Sequence, residues 1–302
     1  MTIISKKNIM KLIAVMLILV FSLSLMSMTN QAVDVEFTKR ELNYFTPIGD
    51  KRVSAHPKIS VSVGGVPLSE SAYLINDTTY VPMRAAATIS GATVTFDDKT
   101  RTAYARMSGL ELSCSDGGYI VYANERPILT KTPAIILSDG RMYLPVRSLA
   151  KALGLTVTWQ PPRSVALTGS TRPLTHARDY YKQDDLYWLS RIINAESRGE
   201  PLLGQIAVGN VVLNRKASRD FPNTVYGVIF DRKYGTQFSP TADGSIYKTP
   251  TYLSTVAAKI CLEGISVSPD VLFFIEPTKA NSAWIVKNRK YAFTVSNHYF
   301  FY

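Results

Sequence analysis

The stretch that decides the fold is Arg191–Arg215, which reads RIINAESRGEPLLGQIAVGNVVLNR. Leu186, Leu189 and Ile193 recur at helical spacing, and Glu196 continues the same apolar face. A Gly-Glu-Pro break follows at once, since glycine ends helices and proline opens them. A second helix, rich in small residues, then runs to the end of the stretch. The pattern predicts two closely packed helices with one acidic residue on their buried side.

The chemistry of Glu196 follows from that position. A carboxyl group at the end of an apolar stripe is partly desolvated, which favours its protonated form near neutral pH. A general acid must hold a proton near pH 7, so Glu196 is a candidate catalytic acid. The residue pattern alone also allows a partly exposed Glu196 that pairs with Arg191, Arg198 or Arg215.

Composition and charge limit the class of protein. A chain of 302 residues with 46% hydrophobic and 19% charged residues is globular and long enough for two domains plus a targeting segment. Its net charge of +11 indicates anionic surroundings such as nucleic acid, an anionic membrane or a bacterial wall. A generally basic surface is the plainer interpretation. Nucleic acid is disfavoured as a partner because the charge is spread out and no basic helix or stacking motif is present.

The N-terminus has the pattern of an export signal. Lysines precede an apolar run at Leu12–Met28, so residues 1–32 are expected to form a signal peptide or a membrane anchor. Whether this segment is cleaved or kept stays open. In either case the protein is expected to be secreted or membrane-anchored and extracytoplasmic. The membrane would be contacted only through this segment. Residues 33–56 are polar and predicted as a linker.

The middle of the chain contains an internal repeat. Tyr80–Arg84 (YVPMR) aligns with Tyr143–Arg147 (YLPVR), and Gly91–Phe96 (GATVTF) aligns with Gly154–Trp159 (GLTVTW). Each copy reads as a strand, a proline-started helix, a glycine stop and a second strand. Short alternating runs and turn dipeptides surround the copies, which predicts a mixed module of strands and short helices.

These repeats, together with a GGVPL turn, resemble the copper amine oxidase N-terminal-like stalk domain of secreted bacterial proteins. The resemblance covers residues 57–170 and implies an α+β accessory module for positioning or wall adhesion. Despite the family name, it does not imply a copper site. His56 stands alone, without a histidine pair or a redox signature. Residues 171–183 are predicted as a linker.

The two cysteines give no metal-binding pattern. Cys114 and Cys261 lie far apart, and no CxxC or Cys/His cluster exists, so no structural zinc site is expected. The prediction for the whole protein includes no metal site and no cofactor. Two unpaired buried thiols are the default expectation, and a disulfide between the two domains is the alternative.

The C-terminal part resembles a family of wall-degrading enzymes. The run INAESRGEPLLGQIAVGNVVLNR is followed in order by FPNTVYGVIF, QFSP, LFFIEP, AW and NHYFFY. This order is similar to that of the spore cortex-lytic and cell-wall hydrolases of the SleB/CwlJ kind, over residues 184–302. The resemblance implies a lysozyme-like α+β domain, peptidoglycan as the substrate and a single essential glutamate, which falls on Glu196.

The resemblance also implies a set of substrate-binding positions. Amide side chains would bind N-acetyl groups, and aromatic rings would stack on sugars. Two alternatives stay open: Trp284 could fill the core, and His298 could be a core histidine whose hydrogen bonds are satisfied. Two departures from the family pattern, at Phe274–Pro277 and in the loop after Gln237, bear on the shape of the cleft. The expected positions are Arg198, Glu200, Gln205, Asn214, Arg215, Phe238, Trp284 and His298.

The expected reaction is cleavage of the β-1,4 bond between N-acetylmuramic acid and N-acetylglucosamine. The family implies lytic transglycosylation, in which one glutamate acts as acid and then as base. A muramidase with two carboxylates is an alternative, with Glu200, Asp243 or Glu276 as the second. A non-catalytic wall-binding or scaffold protein, held to anionic wall polymers by the basic stalk, is another. The expected place of action is the cell wall or the spore envelope. The presence of a stalk module favours a role in general wall remodelling over cortex lysis during germination.

Overall fold

The computed structural model describes residues 41–267, 269–277 and 283–302. The predicted signal peptide or anchor at residues 1–32 lies outside the described residues, as does the first part of the predicted linker. In the part of the chain that the structure describes, no helix is both long and apolar enough to cross a membrane.

The stalk module is built from strands around two short helices. Its strands are β1 (Lys58–Val63), β2 (Val66–Pro67), β3 (Ala72–Ile75), β4 (Thr78–Pro82), β5 (Thr93–Asp97), β6 (Thr102–Met107), β7 (Leu110–Ser115), β8 (Ile120–Ala123), β9 (Arg126–Leu129), β10 (Ile135–Ile136), β11 (Met142–Pro145), β12 (Thr156–Gln160) and β13 (Ser164–Thr168). Its α-helices are α1 (Met83–Ile89) and α2 (Val146–Leu153), and a 3₁₀ turn at Val53–Ala55 precedes them.

Two sheets enclose the core of this module. One has the order β10-β11-β4-β3-β1-β13-β12, with β2 added beside β1, and the other is the meander β5-β6-β7-β8-β9. The alternating residues Ile59, Val61 and Val63 are all buried, which confirms the strand that their spacing predicts. The hairpin between β3 and β4 turns at Asn76 and Asp77, both with positive φ.

The repeat forms two related units. β4-α1-β5 and β11-α2-β12 follow the predicted order, and β4 pairs antiparallel with β11 so that Val81 faces its repeat partner Leu144. The first strands of the copies thus share a sheet, whereas β5 and β12 lie in different sheets. Gly154 ends α2 with φ 69°, and a Cβ there would lie 2.1 Å from the Arg172 carbonyl oxygen, so only glycine fits.

The C-terminal domain is a helical core with a small sheet. Its helices are α3 (Ala177–Tyr180), α4 (Gln183–Ser197), α5 (Leu202–Ala217), α6 (Val225–Ile229), α7 (Pro240–Asp243), α8 (Tyr252–Leu262) and α9 (Ala283–Asn288). Its strands are β14 (Phe273–Ile275), β15 (Tyr291–Val295) and β16 (His298–Phe301), in the order β14-β16-β15. The predicted α+β fold class is confirmed, while the β15–β16 hairpin has no counterpart in the sequence-based prediction.

Close helix packing at α4, α5 and α8 forms the centre of this domain. Gly209 on α5 permits it, because a Cβ at this position would lie 2.7 Å from both Cys261 Sγ and Ile193 Cδ1. Cys261 is buried here and Cys114 is buried in the stalk core, and both are free. The expectation of two unpaired buried thiols is confirmed.

A buried ion pair joins the two parts of the chain. Glu263, at the end of α8, accepts hydrogen bonds from Arg126 Nε at 2.7 Å and Nη2 at 2.9 Å. Tyr181 Oη donates to the same carboxylate at 2.8 Å, and Lys151 Nζ lies 3.3 Å away. Burial would raise the pKa of Glu263, but the hydrogen bonds from Arg126 and Tyr181 outweigh it and hold the pKa below its ordinary value.

The described part of the N-terminal linker lies against both domains. Leu42 N donates to the Thr294 carbonyl oxygen at 3.0 Å, which adds the segment beside β15. The Phe45 ring lies 4.4 Å from that of Tyr119 in the stalk. Thr46 N donates to a stalk carbonyl oxygen at 2.8 Å. This segment is therefore packed between the two domains.

Replacing Gly209 with alanine is expected to destabilise the fold. The added methyl overlaps Cys261 and Ile193, and overpacking of a helix interface costs about 1–3 kcal/mol. Urea unfolding measures the loss. Gly49→Ala is the control, since a Cβ at Gly49 meets no heavy atom within 4 Å. An unchanged midpoint for Gly209→Ala would contradict the close packing of α5.

Candidate active site

Glu196 lies in the last turn of α4, at the edge of a cleft. α4 begins with Asp184 and Asp185, whose negative charges suit the positive end of the helix dipole. Leu189 and Ile193 on its apolar face are fully buried in the helical core. The helix is therefore held firmly along one face, and its last turn carries Glu196 out of the core to the cleft.

The carboxyl group of Glu196 is held in a largely dry position. Its pKa is raised to about 7, first by burial and then by the negative charge of Asp243, while the positive charge of Arg215 acts in the opposite direction. No described residue donates a hydrogen bond to this carboxylate or forms an ion pair with it. The alternative in which Arg191, Arg198 or Arg215 pairs with Glu196 is thus absent from the described structure. At neutral pH, both protonation states of the group are populated.

The cleft beside Glu196 is large and open. It has a volume of about 1160 Å³ and is walled by the ends of α4 and α5, the loop 231–239, α7, β14 and α9. Pockets that enclose a single small ligand span roughly 300–1,000 Å³. The size and openness of the cleft suit an extended ligand that passes through it.

Arg215 forms a buried cationic wall of the cleft. Its Nε donates to the Leu272 carbonyl oxygen at 2.7 Å, and Nη1 lies 3.4 Å from Gln237 Oε1. Burial lowers the pKa of Arg215 to about 10, so the side chain stays charged at neutral pH. Three rings surround the guanidinium at 5.0 to 5.3 Å: Phe221, Phe238 and Phe273. Arg215 thus joins the end of α5 to the segment before β14 and places a positive charge near Glu196.

The cleft brings together only some of the predicted site residues. Glu196, Arg215, Phe238, Trp284 and His298 line it. Trp284 is 59% exposed on α9, so its ring is open to a ligand, whereas Phe238 is 3% exposed and belongs to the floor. Of the two aromatic residues predicted to stack on sugars, Trp284 has the accessible face.

Glu200 lies behind the cleft and supports the β15–β16 hairpin. It accepts hydrogen bonds from Asn297 Nδ2 at 3.1 Å and from Asn297 N at 3.4 Å, and His298 Nδ1 lies 3.6 Å away. Burial would raise the pKa of Glu200, but the bonds from Asn297 outweigh it and hold the pKa below its ordinary value. Glu200 therefore positions His298 and does not face a ligand.

The remaining predicted residues lie outside the cleft. Gln205 is fully buried, donates to the carbonyl oxygen before α5 at 2.9 Å and accepts from Ser254 Oγ at 2.8 Å. Asn214 Nδ2 donates to the Val271 carbonyl oxygen at 2.9 Å. Arg198 is exposed on the turn after α4. Gln205 and Asn214 hold helices and segments together, and their positions give them no access to a sugar in the cleft.

Several further carboxylates line the cleft with Glu196. Asp243 and Glu276, two of the three predicted second carboxylates, lie here, and Asp231 joins them. Hydrogen bonds from the Ser245 side chain and backbone hold the pKa of Asp243 below its ordinary value, so it is ionised at neutral pH. Among the described residues, no group of three or more His, Cys, Asp or Glu side chains is placed to hold a metal ion.

Tyr234 and Arg289 are among the cleft residues that sequence reasoning missed. Tyr234, in the loop after α6, is 79% exposed and lines the cleft. The Arg289 guanidinium lies 4.4 Å from the Phe273 ring and 5.3 Å from the Trp284 ring. The basic stretch Lys287–Lys290 was the available signal, but sequence alone does not separate Arg289 from its solvated neighbours.

Two family models match the chain, and they follow this division of the structure. Residues 199–301 match the Cell Wall Hydrolase model. The C-terminal domain is a cell wall hydrolase domain. Residues 62–167 match the Copper amine oxidase N-terminal domain model, so the module upstream of the hydrolase domain belongs to that family. Both predicted resemblances are confirmed.

The hydrolase domain also has individual relatives. The spore cortex-lytic enzyme of Bacillus cereus is 40% identical over 111 residues, which are 37% of this chain and 42% of that protein. That of Bacillus subtilis is 37% identical over 105 residues, or 35% of this chain and 33% of that protein. The solved catalytic domain of the germination-specific lytic transglycosylase SleB from Bacillus anthracis is 38% identical, with 40% of this chain and 97% of that chain covered and a TM-score of 0.37. The chain spans less than half the length of the curated relatives that it matches.

Glu196→Gln is expected to stabilise the protein at neutral and alkaline pH. The folded pKa of about 7 exceeds the ordinary value of 4.5, so the native state binds the extra proton and wild-type stability falls as pH rises between these values. Glutamine carries no such penalty, and its gain above pH 7 is up to about 3 kcal/mol. Below pH 4 the gain disappears.

Urea unfolding at several pH values measures this difference. The exposed Asp98→Asn variant, in the stalk and distant in sequence from Glu196, is the control for a carboxylate-to-amide change. A constant difference between Glu196→Gln and wild type from pH 4 to pH 8 would show that the Glu196 carboxyl is not desolvated.

Proposed function

We propose that the hydrolase domain cleaves the glycan strands of peptidoglycan at the β-1,4 bond between N-acetylmuramic acid and N-acetylglucosamine. The observation that carries this proposal is Glu196: a largely buried carboxyl group in a cleft of about 1160 Å³, with no ion pair to any described residue and with its pKa raised to about 7. A general acid works best when its pKa lies near the operating pH. Membership of the cell wall hydrolase family supports the substrate class.

The reaction is lytic transglycosylation with Glu196 in two roles. The protonated carboxyl gives its proton to the glycosidic oxygen as the bond from C1 of the muramic sugar breaks. The 6-hydroxyl of that sugar then attacks its own C1, and the Glu196 carboxylate takes the hydroxyl proton. A 1,6-anhydro end forms and the acid is restored. The charge of Arg215 stabilises the carboxylate between the two steps, and the exposed Trp284 ring offers a stacking surface for a sugar.

A muramidase with two carboxylates is the second candidate for the reaction. It is favoured by one observation, that Asp243 and Glu276 line the same cleft as Glu196. In that mechanism a second carboxylate would act as nucleophile or as base for a water. The ionised state of Asp243 is suitable for either role, so the products must decide between the mechanisms.

The rest of the chain is proposed to deliver and hold the enzyme. Residues 1–32 export it as a signal peptide or keep it as an anchor, so the hydrolase domain acts outside the cytoplasm. The basic stalk module helps to hold it on anionic wall polymers. The relatives are spore cortex-lytic enzymes, and cortex peptidoglycan is accordingly a substrate to test beside vegetative wall.

Glu196→Gln is expected to lower the rate of wall degradation by about a hundredfold or more, the usual scale for a positioned acid. Glutamine keeps the shape of the side chain but cannot give a proton. Release of soluble fragments from purified peptidoglycan measures the rate, and Asp98→Asn should retain full activity. Degradation at the wild-type rate by Glu196→Gln would rule out the assignment.

Asp243→Asn is expected to shift the pH profile and leave the products unchanged. Wild-type kcat/KM should fall as pH rises through about 7, since the protonated acid is then lost. Removing the negative charge of Asp243 lowers the pKa of Glu196, so this fall should begin at a lower pH. Mass spectrometry of the released fragments should still find 1,6-anhydro ends.

Asp220→Asn is the matched control for this substitution. Asp220 also lines the cleft but is not among the groups that shift the pKa of Glu196. Its pH profile should stay that of the wild type. If Asp243→Asn is inactive at every pH and the wild type releases reducing ends, the enzyme is a muramidase with two carboxylates.

A further inference from the structure

A second groove lies on the stalk, away from the catalytic cleft. It has a volume of about 720 Å³ and is formed by the β3–β4 turn, the end of β9, the first turns of α2 and the face of β12. Ile265 of the hydrolase domain also lines it. The volume lies within the usual range for ligand pockets, about 300–1,000 Å³. Nothing in the proposed catalytic mechanism uses this groove.

The charge of the groove is mostly positive. Lys131, Arg147 and Lys151 line it, against the single acid Asp77. Arg147 and Lys151 lie one turn apart on the same face of α2, so both reach the same stretch of the groove. Lys151 also contacts the buried Glu263, whereas Arg147 is exposed and forms no ion pair among the described residues. Arg147 is therefore available to an anionic ligand.

An exposed tryptophan lies in the same groove. Trp159 is 48% exposed on β12, the edge strand of its sheet. A large flat ring beside water is a stacking surface for the apolar face of a sugar or polyol. Thr78 and Thr130 add hydroxyl groups to the lining. The groove thus offers a stacking surface, hydrogen-bonding groups and cations together.

The internal repeat places the cations of α2 and the tryptophan of this groove in the second copy only. Arg84 and Phe96 occupy the positions of Arg147 and Trp159 in the first copy, and Thr88 occupies that of Lys151. None of the three lines the groove. Arg84 is exposed and Phe96 is 37% exposed, so they resemble their counterparts in accessibility. The first copy therefore supplies matched control positions.

We propose that this groove binds a phosphate-bearing glycopolymer of the cell wall. A sugar or polyol unit stacks on Trp159, while the oxygens of a neighbouring phosphodiester accept hydrogen bonds from Arg147 and pair with Lys131 and Lys151. The polymer is favoured over a neutral glycan because the cations outnumber the acid in the groove. The inference rests on the proposed role at the wall but not on the chemistry of Glu196.

The test is binding of the full chain to purified walls, compared before and after chemical removal of their phosphate polymers. Every protein carries Glu196→Gln to keep the walls intact, and bound protein is measured by pelleting on ice. The double variant Arg147→Ser, Trp159→Ala should bind intact walls at least tenfold more weakly than the parent. The control Arg84→Ser, Phe96→Ala should bind within twofold of the parent. On phosphate-free walls all three should bind equally weakly, and added salt should weaken binding to intact walls.

Two results would overturn the inference. One is equal binding of the groove variant and the control variant to intact walls. The other is parent binding to phosphate-free walls as tight as to intact ones, which would assign the affinity to peptidoglycan itself. With Glu196 restored, the groove variant should degrade phosphate-free walls at the wild-type rate. If the protein shows this binding pattern but degrades no wall, the proposal for the groove stands and the proposed catalytic function is wrong.

Discussion

The central constraint of the structure is that the Glu196 carboxyl group is kept largely out of water, with no hydrogen-bond or ion-pair partner among the described residues. Two glutamates of the hydrolase domain show the contrast. The Glu263 side chain is buried, forms ion pairs with Arg126 and Lys151, and accepts a hydrogen bond from Tyr181. Its pKa lies below the ordinary value. Glu196 is also largely buried, but no described residue donates a hydrogen bond to its carboxylate, and its pKa rises to about 7. Burial raises the pKa of both carboxyl groups. The presence or absence of a partner then decides whether the group is a structural anion or a proton donor.

The polar residues behind the cleft make this arrangement possible by fixing the elements around Glu196. Asn210 and Asn214 bind the backbone at Ile265, Val267 and Val271, which ties α5 to the chain that leads into β14. Further buried polar groups join α4, α5 and α8, where backbone groups would otherwise lie unpaired at the helix ends. The helices that hold the cleft wall are thus the same ones whose packing excludes water from the Glu196 carboxyl.

The sequence allowed the helical hairpin, the repeat and Glu196 to be predicted, because periodicity and glycine and proline positions are local signals. It did not separate amide groups that hold the fold from those that face a ligand. The sequence is equally consistent with a structural and a ligand-binding role for Gln205 and Asn214, and only their hydrogen-bond partners in the structure decide between these roles. Arg289 and Tyr234 enter the cleft through long-range folding of α9 and a loop, for which local patterns carry no information. The β15–β16 hairpin was missed since its aromatic residues show no simple alternation.

The first described residues of the chain contact the hydrolase domain before the chain reaches the stalk. Glu41 forms a bridge with Thr294, and Leu42 bonds to the same strand. If the N-terminal segment stays in the membrane, the enzyme is tethered by its catalytic end. Any pull from that anchor would act first on the β15 edge of the hydrolase domain and only then on the stalk.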